Sequence, residues 1–175
     1  MKNYESLREL RALWEKAVKL YGTGQRGAAS YFTHAEVKTL AGHGHTAQEV
    51  YDFAEDFTNG GEPTLEDFIA VAEVRREFFL EVQKGKLSAT ILDMNTLPPK
   101  TASVKGIEWL PRILPKAKAK LHGEMPPELM YGCGGDRRFF RDNDIHPAEF
   151  LRIIWANLGN DEAVINWVVA RNASK

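Results

Sequence analysis

The chain has 175 residues, 43% hydrophobic and 27% charged, which is long enough to bury a core without a disulfide or metal staple and too apolar to be disordered. Its formal net charge of −1 excludes a bulk electrostatic drive toward nucleic acid or an anionic membrane. A single cysteine, Cys133, excludes an internal disulfide and suits a reducing compartment.

The N-terminal stretch KNYESLRELRALWEKAVKLYG is charged every few residues and lacks the apolar run of a signal peptide. No apolar run reaches the ~18 residues that a bilayer span requires. The expectation is a soluble, cytoplasmic protein with no membrane partner. Leu7, Leu10, Leu13, Trp14, Ala17, Val18 and Tyr21 recur at three- and four-residue steps. They predict an amphipathic helix, stopped by Gly22 and Gly24. Thr33 with Glu36 predicts a capping box for a second helix ending at Gly42. Thr46 with Glu49 predicts a third, presenting Val50, Phe53, Ala54 and Phe57 and ending at NGGEP. Thr64 opens a longer helix, from Leu65 to about Lys84, whose broad apolar face suits a central position.

LSATILDM is the one strand-like stretch, through Thr90, Ile91 and Leu92. Its expected partner is TASVK, giving at most a small β-hairpin around residues 89–105. Pro111 and Pro115 then constrain the next helix. Proline deep in a helix costs ~3 kcal/mol or more, whereas first-turn proline is cheap. The regular helix should begin near Pro111 or bend there, with Leu110, Ile113, Leu114, Ala117 and Leu121 on one face and Lys116 and Lys120 beside it. After the loop GEMPPELMYGCGG, Asp136 can cap a short helix through Arg141. Pro147 starts another helix, and Asn160 caps the last. The fold class expected is mainly α, seven or eight helices in a single compact domain over 1–175, with sub-halves 1–85 and 86–175 packed together.

Several segments together carry a resemblance: VRREFFLEVQKGK, GIEWLPRI, KAKAKLHGEMPPELMYGCGGDRRFF and HPAEFLRIIWA. The chain resembles a family of uncharacterised bacterial proteins catalogued only as a domain of unknown function. Shorter relatives share a Tyr-x-Cys-x-x-Asp-x-Arg-Phe pattern, matched here by Tyr131, Cys133, Asp136, Arg138 and Phe139. Pro115 stands where a helix former is usual. The resemblance implies a bacterial cytoplasmic protein and supplies no activity, cofactor or catalytic residue.

The densest chemistry lies in residues 130–140, MYGCGGDRRFF. Gly132, Gly134 and Gly135 allow positive φ and close backbone approach, so successive N–H groups can form an anion-binding nest. The following helix would aim its positive end there, and Arg137 or Arg138 could grip a phosphate or carboxylate. Asp136 opposes this if it caps that helix. The motif lacks the spacing and the Lys-Ser/Thr ending of a P-loop. The structural alternative is a tight turn that lets Tyr131, Phe139 and Phe140 pack.

Cys133 at the same turn is a candidate nucleophile, with His122 or His146 as base; its structural alternative is a small buried hydrophobe. His34, His43 and His45 lack the companion ligands that catalytic zinc requires, so no metal is expected. The lysines of KAKAK do not share one face and lack interleaved aromatics, which argues against a nucleic-acid partner and for a solvated helix face. Residues 34–82 carry three basic and eleven acidic side chains, and residues 83–123 carry eight basic and two acidic. These blocks suit attraction within one molecule or across a homodimer.

Three functions follow in order. The first is a binding or regulatory protein with a small-anion pocket at residues 132–138. The second is an enzyme using Cys133 as nucleophile. The third is a protein-interaction module built on the acidic 34–82 and basic 83–123 surfaces. No cofactor is implied.

Overall fold

A computed structural model describes residues 2–173. Among them are eight α-helices and one two-stranded sheet, a mainly α protein. The chain forms two compact units, Met1–Leu87 and Ser88–Lys175.

In the first unit, helix α1 (Lys2–Gly22) buries Leu10, Leu13, Trp14, Ala17 and Tyr21, the face that the three- and four-residue spacing marks out. Helix α2 (His34–Gly42) opens on the predicted capping box: Thr33 Oγ1 accepts from the Glu36 N–H, and the Glu36 carboxylate accepts from the Thr33 N–H. Helix α3 (Ala47–Gly60) is capped by Thr46 and ends where Gly61 adopts φ 75°, its N–H bonding back to Phe57 O. Helix α4 (Leu65–Glu81) opens on a second full box, Thr64 with Asp67. Its central position shows in its burial, with Phe68, Val71, Ala72, Val74, Phe78 and Phe79 all inaccessible.

Aromatic pairs stitch these helices together. Trp14 meets Phe57 at 4.9 Å, Phe53 meets Phe68 at 5.0 Å, and Tyr31 meets Tyr51 at 5.0 Å between ring centres. His43 approaches Glu9 at 3.3 Å, while His45 is buried with Nδ1 3.6 Å from Glu49. Among the described residues no group of three or more His, Cys, Asp or Glu is placed to hold a metal ion.

The second unit corrects the expected hairpin. Residues 87–93 form no ladder; Leu87 and Ile91 are exposed, and Leu92 N–H donates to Glu124 O instead. The strands are β1 (Ser103–Val104) and β2 (Ile107–Glu108), antiparallel, with Val104 opposite Ile107. Lys105 and Gly106 join them with φ of 50° and 79°. Positive φ at both central residues is the two-residue turn whose twist matches a hairpin. The run of β-formers at 90–92 misleads because it has no partner strand.

Helix α5 (Leu110–His122) runs through Pro115. A proline there removes only the bond to the carbonyl four residues back, that of Pro111, which lies at the helix start. Leu110, Ile113, Leu114, Ala117 and Leu121 are buried as the spacing requires, and α5 packs on helix α7 (Pro147–Ala156). Helix α6 (Gly134–Asp142) contributes Phe139 and Phe140, which pack edge-on against Phe150 of α7. Helix α8 (Asp161–Ala173) closes the unit, with Asn160 Oδ1 accepting from Ala163 N–H.

Candidate functional site

The turn at residues 130–136 is organised around a carboxylate that the sequence places at a helix cap. Asp136 is not the cap. Cys133 is the N-cap residue of α6, so Asp136 stands three residues into the helix and faces inward, with no exposure. Its Oδ2 accepts from Lys116 Nζ at 2.5 Å and from Gly132 N–H at 2.9 Å; its Oδ1 accepts from Trp109 Nε1–H at 2.8 Å. A buried carboxylate is costly unless paired and hydrogen-bonded, and here one cation and two neutral donors satisfy it.

Lys116 overturns the expected solvated lysine face. It is 1% exposed and Lys120 is 4% exposed, both among the apolar residues of α5. Only Lys118 behaves as a surface lysine, paired with Asp161 of α8 at 2.6 Å. Lys116 Nζ also donates to Cys133 Sγ at 3.4 Å. Cys133 is half-buried and makes no capping bond of its own.

Trp109 completes the arrangement. It is held at φ 69° and ψ −23° as the N-cap of α5, a left-handed conformation that costs a non-glycine residue roughly 1–2 kcal/mol. Its N–H donates to Ala102 O of the hairpin arm, and its carbonyl accepts from Arg112 and Ile113. The conformation delivers the indole ring onto Gly135. A Cβ built on Gly135 would lie 2.4 Å from the ring. The three glycines of the turn therefore do different work. Gly132 uses its freedom at φ 94°, Gly135 admits the ring, and Gly134 is exposed, with only Arg137 Nη2 near, at 3.8 Å.

The two arginines also part. Arg137 Nη1 donates to Gly132 O at 2.8 Å and closes the turn. The Arg138 side chain is 70% exposed and its nearest carboxylate, Asp142, is 4.0 Å away. Arg138 lines a cleft of about 310 Å³ with Ile107, Glu108, Trp109, Gly135 and Asp142. So Cys133, Gly132 and Arg137 gather around the buried pair, while Gly135 and Arg138 face the cleft. His146, one of the two histidines considered as base, is the N-cap of α7, where its Nδ1 accepts from Ala148 N–H.

Tyr131 lies beneath the turn, 2% exposed, donating to Pro147 O at 2.8 Å. Burial, reinforced by the Asp136 charge, pushes its phenol well above the usual tyrosine value. The unfolded chain then loses this proton first, near pH ~10. The contribution is intact below that pH and fades as pH rises toward the folded value. Alkaline unfolding should therefore begin above pH ~10, and Tyr131→Phe should flatten that limb while costing about 1 kcal/mol at neutral pH for the lost hydrogen bond. An unchanged alkaline limb in a urea-titration series would show that Tyr131 does not set it.

No local pattern marks out Lys116 or Trp109: Lys116 and Lys118 both adjoin Ala117 in sequence, yet only Lys116 is buried. Among the described residues no helix is long and apolar enough to cross a membrane. No curated protein and no solved structure matches the chain. Residues 95–175, which hold the hairpin, the Lys116–Asp136 pair and the whole cleft, match the model of a family described as Domain of unknown function (DUF5069).

Proposed function

We propose that the second unit is a small-ligand binding module, taking an anionic group on Arg138 in the cleft beside Trp109 and the first turn of α6. The observation that carries this reading is the contrast between two charges. Asp136, the carboxylate nearest the helix start, is buried and matched by Lys116. Arg138 is exposed to a cleft with only a long contact to Asp142.

Helix N-termini leave N–H groups without intrahelical partners and carry partial positive charge, so α6 adds to the attraction. A cleft of this volume lies at the small end of ligand pockets. Glu108 and Asp142 on its wall disfavour a polyanion, so the reading is a ligand with one phosphate or carboxylate group. One charge-assisted contact is worth roughly 1.5–3 kcal/mol, which puts bare phosphate weaker than ~1 mM.

Phosphate at about ten times its dissociation constant should stabilise the fold by ~1.4 kcal/mol, beyond chloride of equal ionic strength. For a unit of this size that is a rise of roughly 5–10 °C in the thermal midpoint. Arg138→Ala should abolish the difference and leave the helical spectrum unchanged. A full phosphate effect in the variant would place the anion elsewhere.

A further inference from the structure

We propose that Lys116 and Cys133 are a redox pair, and that peroxide joins them covalently through a sulfur–nitrogen bond. Three observations, independent of the cleft, carry this. Lys116 Nζ lies 3.4 Å from Cys133 Sγ, close enough for bond formation with a small side-chain movement. Cys133 is only half-buried, so a peroxide can reach the sulfur, while Lys116 is 1% exposed and held in place. Asp136 Oδ2 sits 2.5 Å from the same Nζ and is a ready proton acceptor.

The chemistry proceeds in two balanced steps. Cys133 reacts as its thiolate: Sγ attacks one peroxide oxygen, the O–O bond breaks, and the leaving hydroxide takes up the thiol's proton, giving the sulfenic acid and one water; sulfur is oxidised and peroxide reduced. A sulfenic acid condenses with a nearby thiol or nitrogen. Lys116 hands one ammonium proton to Asp136, and the freed nitrogen pair attacks Sγ. The S–O bond breaks, and the sulfenic hydroxyl leaves as water with a second proton from the nitrogen. The product is a sulfenamide between Nζ and Sγ, with Asp136 protonated. The chain holds no second cysteine to resolve the sulfenic acid as an internal disulfide. Lys116 takes that place, and the reaction removes the cation that Asp136 needs. Oxidation at the surface thereby reaches the buried ion pair at the start of α6.

The test treats the full chain with hydrogen peroxide, blocks remaining thiols, and maps peptides without reductant. The expected result is a cross-linked species lacking two hydrogens, with the Lys116 and Cys133 peptides joined, and full return of the free thiol on adding dithiothreitol. Cys133→Ser should show no link. Lys116→Arg keeps a cation beside Asp136 but offers no amine, so its Cys133 should proceed to sulfinic acid. Should Lys116→Arg not fold, the wild-type map and Cys133→Ser still decide. Sulfinic acid at wild-type Cys133 with Lys116 unlinked, or an intermolecular disulfide as the main product, would overturn the proposal.

Discussion

Asp136→Ala is expected to be the most damaging single change in the second unit, lowering stability by about 3–5 kcal/mol. The substitution leaves Lys116 Nζ without its carboxylate in a site 1% exposed, and strands Trp109 Nε1 and Gly132 N–H as well. Removing one partner of a buried pair costs more than removing both, because the remaining charge stays desolvated. Lys116→Met should therefore cost a similar amount, and Lys116→Met combined with Asp136→Asn should recover a large part of it. The neutral asparagine keeps an acceptor for the Trp109 and Gly132 donors, and methionine fills the space of the lysine stem. At roughly 4–8 °C per kcal/mol for a unit of this size, the single variants should melt at least ~12 °C lower. Additive losses in the double variant would show that the two side chains are not coupled.

Gly135→Ala should cost about 2–4 kcal/mol, although alanine is the better helix former by ~1 kcal/mol. The new methyl would lie 2.4 and 2.5 Å from two carbons of the Trp109 ring. Real side chains do not approach so closely, so the indole must swing away and lose its bond to Asp136. Overpacking of this kind typically costs 1–3 kcal/mol, and a hydrogen bond to a charged group adds ~1.5–3. Gly134→Ala is the control. Its Cβ meets only Arg137 Nη2, at ordinary contact distance, so it should be neutral or stabilising by up to ~1 kcal/mol. Denaturant unfolding of the two variants side by side checks the assignment. Equal effects would mean that the ring does not rest on Gly135.

These two residues also show what the sequence could reveal. The helices were legible because their signals are local. Thr33 with Glu36 is a reciprocal pair three residues apart, Thr64 stands at the start of α4, and Pro147 marks a first turn. The packing of Tyr131, Phe139 and Phe140 beneath the glycine turn was legible for the same reason. The hairpin was not. Its signal is the pair Lys105–Gly106, hidden between a β-rich run with no partner and a proline-marked helix start. The role of Asp136 was also hidden. A carboxylate near a helix start suggests a cap, yet its three donors come from positions 109, 116 and 132. Two of these lie at least twenty residues away, and no local pattern encodes them. Trp109 was illegible because its reach depends on a left-handed φ that tryptophan seldom adopts.

The proposed anion site is Arg138 with the first turn of α6. Backbone amide shifts followed during a phosphate titration at constant ionic strength test it most directly. Saturable shifts are expected at Gly134, Gly135 and Arg138 and at the Trp109 indole N–H, all lost in Arg138→Ala. Saturable shifts confined to other parts of the chain, or an unchanged response in the variant, would contradict it.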